Sequence, residues 1–237
     1  MTTIIPNDAA IGVPVTEDQR TDEWLQARAG RVTASRFKDV LSRNKPTAAQ
    51  AKAGEPGNPS ADRTKYLWQI VTERLTGQPV QMPDAAPLRW GRENEDAART
   101  AYLFTSSAKL TETGFVAHPT LACGASPDGL LSDDSDPDGM FGLIEIKCPW
   151  SSQVHLETWL NGMPEDHQAQ IQGQMWLTGR EWCDFVSFDP RMPADLQLYV
   201  QRVKGDPEFQ AKLEREIIAF SAEADEIVSR LRAKVSF

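Results

Sequence analysis

The stretch Ser126-Pro127-Asp128-Gly129-Leu130-Leu131, the polar segment from Ser132 to Gly139, and Met140-Phe141-Gly142-Leu143-Ile144-Glu145-Ile146-Lys147 decide the fold. Apolar runs flank an acidic, turn-rich middle, which predicts two strands joined by a hairpin loop. Side chains two apart on a strand share a face. Glu145 and Lys147 therefore leave the second strand on one side, and Ile146 points the other way, into the core. Asp128 stands where the first strand begins. Two carboxylates and a lysine are thus predicted to meet at one edge of a small sheet.

Those residue types suit one chemistry. Two carboxylates hold hard cations such as Mg²⁺ or Mn²⁺, which prefer oxygen ligands. Such an ion polarises a phosphoryl group and activates water. A lysine beside that water orients it or stabilises developing negative charge. The plainer reading is a hairpin with an exposed turn and a surface Glu/Lys pair. A P-D…E-x-K match alone, in a chain of 237 residues, does not separate the two.

Composition narrows the class. The length suits one domain with long decorations, or at most two. At 40% hydrophobic, with seven Trp and nine Phe, the chain can bury a substantial core. It has no long apolar run and no signal-peptide pattern, so a soluble, cytoplasmic protein without membrane contact is expected. Cys123, Cys148 and Cys183 form no C-x-x-C unit, so buried reduced thiols are expected in place of a zinc site or a disulfide framework. The net charge of −9 argues against a protein that coats DNA with a basic surface. It is compatible with an acidic exterior around a local basic channel.

Residues 1–18 are polar and predict a flexible arm. Thr21 caps a helix that Gly30 ends. A second helix is predicted to be capped near Thr33 or Ser35. Arg28, two hydroxyls and a helix N-terminus could make an anion pocket, though spacing alone favours ordinary capping with a surface arginine. Residues 44–62, with three prolines and two glycines, predict a mobile loop. Arg63 to Thr76 predicts a helix with Tyr66, Leu67, Ile70, Val71 and Leu75 on one face. Leu88 to about Phe104 predicts another, packed through Ala98, Ala101 and Tyr102. Its cluster Glu93, Glu95 and Asp96 is either a solvated face or the source of one inward carboxylate.

Gly114 to His118 predicts a strand before the hairpin, and Cys148-Pro149-Trp150 ends the strand after it. Trp159 falls on a short helix. Pro164 to Leu177 predicts a helix carrying Gln168, Gln170, Gln172 and Gln174, either a plain polar face or a source of amides for the site. Trp182 to Phe188 and Leu196 to Val203 read as strands, the latter alternating Leu196, Leu198 and Val200, with a turn at Asp189 to Pro193. Asp206 to Phe237 predicts a long amphipathic helix with its apolar stripe at Phe209, Leu213, Ile217, Phe220, Ala224, Ile227, Leu231 and Val235.

Taken in order, TASRF (33–37), WGRENEDAAR (90–99), SPDG (126–129), EIKCPW (145–150), AQIQGQMW (169–176) and FDPRM (188–192) make the chain resemble the lambda-exonuclease and YqaJ-type viral recombinase nucleases of the PD-(D/E)xK superfamily. The likeness runs from about Thr21 to Met192. It implies an α/β (α+β) fold: a central mixed β-sheet flanked by helices. A nuclease domain over 19–205 is expected, and the apolar stripe of the 206–237 helix, which carries no family motif, packs on that same domain or serves a subunit contact. The resemblance implies a Mg²⁺-dependent 5′-to-3′ exonuclease, with Mn²⁺ able to substitute, acting on double-stranded DNA ends in phage-type recombination. By the same resemblance Asp128, Glu145, the Ile146 carbonyl and Glu95 hold the metal, Lys147 is the catalytic lysine and Gln170 lies near the attacking water. Arg28, Ser35 and Ser126 bind a 5′ phosphate, and Leu88 is a wedge that splits the terminal base pair. His167 departs from the pattern, which expects an aromatic hydroxyl there. The resemblance further implies a toroidal homotrimer around DNA and a single-strand annealing protein as partner.

Two other readings use the same residues. A structure-selective endonuclease or RecB-like nuclease module would cut a closed circular duplex, which an end-dependent enzyme cannot. A non-catalytic DNA-end-binding protein would bind ends and cut nothing.

Overall fold

Phe141–Lys147 and Trp182–Phe188 are too apolar to leave either face in water, and they pair in parallel at the centre of a five-stranded sheet. The computed structural model describes residues 11–80, 84–132 and 141–235. In chain order these form β1 (Val13–Pro14), α1 (Asp22–Arg28), β2 (Val32–Thr33), α2 (Phe37–Leu41), α3 (Ala48–Ala53), α4 (Ala61–Thr76), α5 (Ala86–Thr105), β3 (Lys109–Thr111), β4 (Val116–Ala117) and β5 (Cys123–Ala125). They continue as β6 (Gly129–Ser132), β7 (Phe141–Lys147), α6 (Ser152–Asn161), α7 (Gln168–Thr178), β8 (Trp182–Phe188), β9 (Leu198–Lys204) and α8 (Pro207–Ala233). The main sheet runs β3-β6-β7-β8-β9, with only β7 and β8 parallel. Their connection crosses over through α6 and α7, as a parallel pair requires.

The alternation of β7 sorts its side chains between two helices. Ile144 and Ile146 pack towards α5, in a cluster with Ala98, Tyr102, Leu131, Val186 and Phe188. Leu143 packs the other way, with Ile171 and Met175 of α7 and with Cys183 and Phe185 of β8. Glu145 follows Leu143 to the α7 side. A third cluster joins α2, α4, α7 and α8 through Phe37, Tyr66, Ile70, Trp176, Leu213, Ile217 and Phe220. Gly173 lets α7 pass Phe37 closely, because a Cβ there would sit 2.4 Å from the ring.

The mixed, helix-flanked α/β architecture matches expectation, with one addition: β1-β4-β5-β2 form a second, four-stranded sheet, whose β2 and β5 run parallel. Of its strands only β4 lies where a strand was expected, within Gly114 to His118, and the other strands of two or three residues give too little alternation to be read from a sequence. The segment 32–37 therefore enters as a strand and a 3-10 turn before α2, not as one capped helix. The arm is pinned beyond residue 10. Gly12 N–H donates to Leu177 O at 2.7 Å, Val15 N–H to Phe115 O at 2.8 Å, and Gln19 Nε2 to Thr113 O at 3.0 Å and Pro127 O at 2.7 Å. The proline-rich stretch 44–62 contains α3, started by a capping box between Thr47 and Gln50.

Five apolar assignments move. Leu75 is exposed, as are Leu231 and Val235 at the end of the α8 stripe. Val200 is exposed because β9 is the sheet edge, and Leu196 belongs to a 3-10 turn. The α7 helix begins at Gln168 after a 3-10 turn over Glu165–His167, later than the proline predicted. Cys123 and Cys183 are buried, whereas Cys148 is half-buried. The acidic hairpin turn falls mostly on residues 133–140, outside the described residues. No helix among the described residues is long and apolar enough to cross a membrane.

Candidate active site

Glu145 is 2% exposed, and an acidic side chain buried this far must be matched by donors. Three side chains supply them. Lys147 donates an ion-paired hydrogen bond to Oε1. Gln170 Nε2 donates to the same oxygen at 2.6 Å, and Gln174 Nε2 donates to Oε2 at 2.6 Å. Gln170 and Gln174 are four apart on α7, one turn, so both amides reach down on β7 from the same face. Gln170 also accepts from Lys147 Nζ through Oε1 at 3.3 Å. Carboxylate, ammonium and amide thus close a triangle.

Asp128 joins this group across the β6–β7 ladder. Its Oδ2 accepts the Ile146 N–H at 2.6 Å, and its own N–H donates to Ile144 O at 3.2 Å. Burial pushes the Asp128 carboxyl well above the usual range, and the neighbouring Glu145 and Glu95 carboxylates push it further, against the pull of Lys147. Burial alone would lower Lys147, but Glu145 and Asp128 outweigh it and hold the ammonium above its ordinary pKa. Lys147 is therefore held in its cationic form, as a donor to Glu145.

Glu95 stands at the rim. On α5 it pairs with Arg20 and with Arg99, the latter at 3.2 Å. Arg99 also donates to the Asp128 carbonyl at 3.2 Å, which ties the two acidic segments together. Arg20 holds a left-handed φ of 68°. Among the described residues no three His, Cys, Asp or Glu side chains are grouped closely enough to hold a metal as they stand. The donor chemistry of Asp128 and Glu145 nevertheless fits a hard dication: two crowded oxygen ligands whose mutual repulsion a 2+ charge would relieve. Glu95 lies within electrostatic reach of Asp128, but its partners are arginines.

The predicted anion pocket is partly assembled. Arg28 donates to Ser126 Oγ at 3.4 Å, and Trp24 Nε1 donates to the same oxygen at 2.8 Å. The Arg28 guanidinium lies 4.1 Å from the Trp24 ring centre. Ser35 is exposed and meets Thr33 Oγ1 at 3.4 Å. The parallel pairing of Thr33 with Gly124 puts Ser35 and Ser126 each two residues past a matched pair. Leu88, in the first turn of α5, is 50% exposed. Gln174 is one of the glutamines expected to offer an amide to the site, whereas Arg99 is a partner that no sequence signal pointed to. For Gln174 the signal was its spacing of one turn from Gln170.

The sequence model of the YqaJ-like viral recombinase domain matches residues 23–181, a span that holds all of these side chains except Arg20. The chain belongs to the YqaJ-like viral recombinase family. It is similar to an alkaline exonuclease (LHK-Exo) from Laribacter hongkongensis, at 38% identity over 91% of this chain and 98% of that one, with a TM-score of 0.77. The same enzyme has been solved in complex with dAMP, with the same identity, coverage and TM-score. A phage related exonuclease from Haemophilus somnus shares the fold at 17% identity, covering 85% of this chain and 96% of that one, with a TM-score of 0.61. Among curated proteins nothing matched. Within the YqaJ-like span, β8, β9 and α8 are not included, although β8 supplies half of the central parallel pair.

His167, where the motif pattern expects an aromatic hydroxyl, stacks on Phe185 with ring centres 5.3 Å apart. Burial, then the Lys147 charge, lowers its pKa from 6.5 to about 4. The folded protein thus resists a proton that the unfolded chain accepts near pH 6.5. This residue costs increasing stability as pH falls from 6.5 towards 4, up to about 3 kcal/mol. Urea unfolding of His167→Gln and wild type at pH 7 and pH 4.5 should show the wild type losing about 2 kcal/mol more over that interval. Equal losses would mean that His167 is not held neutral.

Proposed function

We propose that this protein is a Mg²⁺-dependent exonuclease that degrades one strand of double-stranded DNA from 5′ to 3′. It leaves a 3′ overhang for phage-type recombination by single-strand annealing. The observation that carries the reading is the convergence of Asp128, Glu145, Lys147 and Gln170 at the C-terminal end of β7. The similarity to an alkaline exonuclease over 91% of the chain supports it.

Asp128, Glu145 and the Ile146 carbonyl are the groups that would hold Mg²⁺ or Mn²⁺, with Glu95 at the rim to complete the set. The bound ion supplies Lewis acidity to the phosphoryl oxygen and acidifies water. Lys147, already cationic, stabilises the extra negative charge that builds on the phosphoryl oxygens. Gln170 uses its amide to fix Glu145 and Lys147 relative to each other, and the attacking water lies beside it. Gln174 holds the second Glu145 oxygen, so the carboxylate cannot rotate away.

Polarity follows from the second pocket. Arg28, Ser126 and Ser35 would bind a 5′ phosphate, which sets how far along the strand the carboxylates cut. Leu88 would act as the wedge that opens the terminal pair. A net charge of −9 is reconciled with a polyanionic substrate if three copies form a ring whose basic residues face the hole. Such a ring also explains how a strand could be followed without release. The partner in this reading is a single-strand annealing protein, and the setting is the host cytoplasm.

Lys147→Ala should reduce cleavage of linear duplex by at least about 100-fold while leaving end binding intact. Cleavage near the wild-type rate would remove Lys147 from the chemistry. Arg28→Ala should slow digestion of 5′-phosphorylated ends about tenfold more than digestion of 5′-hydroxyl ends. Equal slowing of both would remove the phosphate pocket.

A further inference from the structure

Three side chains with no part in the proposed chemistry meet where the chain leaves β7 just after Lys147. Trp90 comes from α5, Trp150 from the chain leaving β7, and Arg191 from the turn after β8. Trp90 Nε1 donates to Pro149 O at 3.1 Å. Arg191 donates to Trp150 O at 3.1 Å through both terminal nitrogens and to Pro149 O at 3.3 Å. Asp189, 0% exposed, holds Arg191 from behind at 2.7 and 2.8 Å. The guanidinium lies 4.3 Å from the Trp90 ring centre. Trp150 meets Trp90 edge-on, with centres 5.9 Å apart and planes at 88°.

The result is a rigid mount for one ring that is left in water: Trp150 is 54% exposed. A side chain this apolar, this exposed and this firmly held is built to be covered. Its position says by what. Trp150 follows Lys147 by three residues. Along α5, Trp90 lies between Leu88 and Glu95, which are about 10 Å apart on the helix axis. Trp90, whose ring meets Trp150, thus stands on α5 between the proposed wedge and Glu95, where an opened DNA end would have unpaired bases. The cation behind the indole pair adds favourable charge next to a polyanion.

We propose that Trp150 is a stacking platform for one unpaired nucleobase of the opened DNA end, with Trp90 and Arg191 as its fixed support. The inference rests on the nuclease reading for its ligand and deepens it. The platform would hold the frayed strand in place after the wedge has passed. It would do so without sequence preference, since every base has a π-face.

The test uses forked duplexes in EDTA, so that binding is measured apart from cleavage. A single abasic site is walked through the first few unpaired positions of each strand, and affinity is read by fluorescence anisotropy for wild type, Trp150→Phe and Trp150→Ala. Trp150→Ala should bind the intact fork about tenfold more weakly, and Trp150→Phe should recover most of that loss. At one position the abasic site should weaken the wild type by the same factor and cost Trp150→Ala nothing further. If abasic sites at every position weaken wild type and Trp150→Ala alike, or leave the wild type unaffected, the platform does not exist. The wild-type arm alone decides this if Trp150→Ala does not fold. Failure of the wild type to cut linear duplex with Mg²⁺ would instead strike at the nuclease reading.

Discussion

A carboxylate buried at the centre of a sheet must be neutralised by its neighbours, and Glu145 sets the rest of the site through that demand. Its two oxygens are met by Lys147 on the same strand and by Gln170 and Gln174 one turn apart on α7. That arrangement requires β7 to present Glu145 and Lys147 on the α7 face while Ile144 and Ile146 close against α5. It also requires α7 to lie close to the strand. The approach of α7 to α2 depends on Gly173, where any side chain would collide with Phe37. Packing and chemistry are therefore one constraint here: loosening α7 would leave a buried charge half-matched, which is among the most costly local faults a core can carry.

The same demand explains why the acidic residues do not simply repel one another. Asp128 and Glu145 are brought together by the β6–β7 pairing, and the charge of Lys147 offsets only part of their repulsion. The Glu95 carboxylate is matched by Arg20 and Arg99, and Arg99 also donates to the Asp128 carbonyl. The N-terminal segment takes part as well, since Gln19 holds the carbonyl of Pro127 immediately before Asp128. A chain with a formal charge of −9 can thus hold an acidic centre that is locally edged with arginine and lysine.

Much of this was legible in the sequence where periodicity is long. The β6–β7 hairpin, β8, α4, α5 and α8 follow from apolar spacing, and the shared face of Glu145 and Lys147 follows from strand geometry. Of the elements of two or three residues only β4 was legible, inside the strand expected at Gly114 to His118. The β1-β4-β5-β2 sheet is held together by pairing between distant segments, and no local pattern announces it. Val200 failed for a related reason: alternation cannot say which face of an edge strand is covered. At the site, Gln170 came from a motif and Gln174 from its place on the same glutamine-bearing helix, whereas Arg99 became visible only through the contacts it makes. The Trp90–Trp150–Arg191 mount joins three segments far apart in sequence, so it could be found only in three dimensions.

The central claim is that this carboxylate–lysine cluster hydrolyses DNA from a 5′ end with the help of a divalent metal. The most direct measurement is digestion of a linear duplex with one 5′-phosphorylated end and the other end blocked, with Mg²⁺ and with EDTA. The account predicts Mg²⁺-dependent release of mononucleotides from the phosphorylated strand alone, and none in EDTA. Release from the 3′ end, cutting of a fully blocked or circular duplex, or unchanged cutting in EDTA would contradict it.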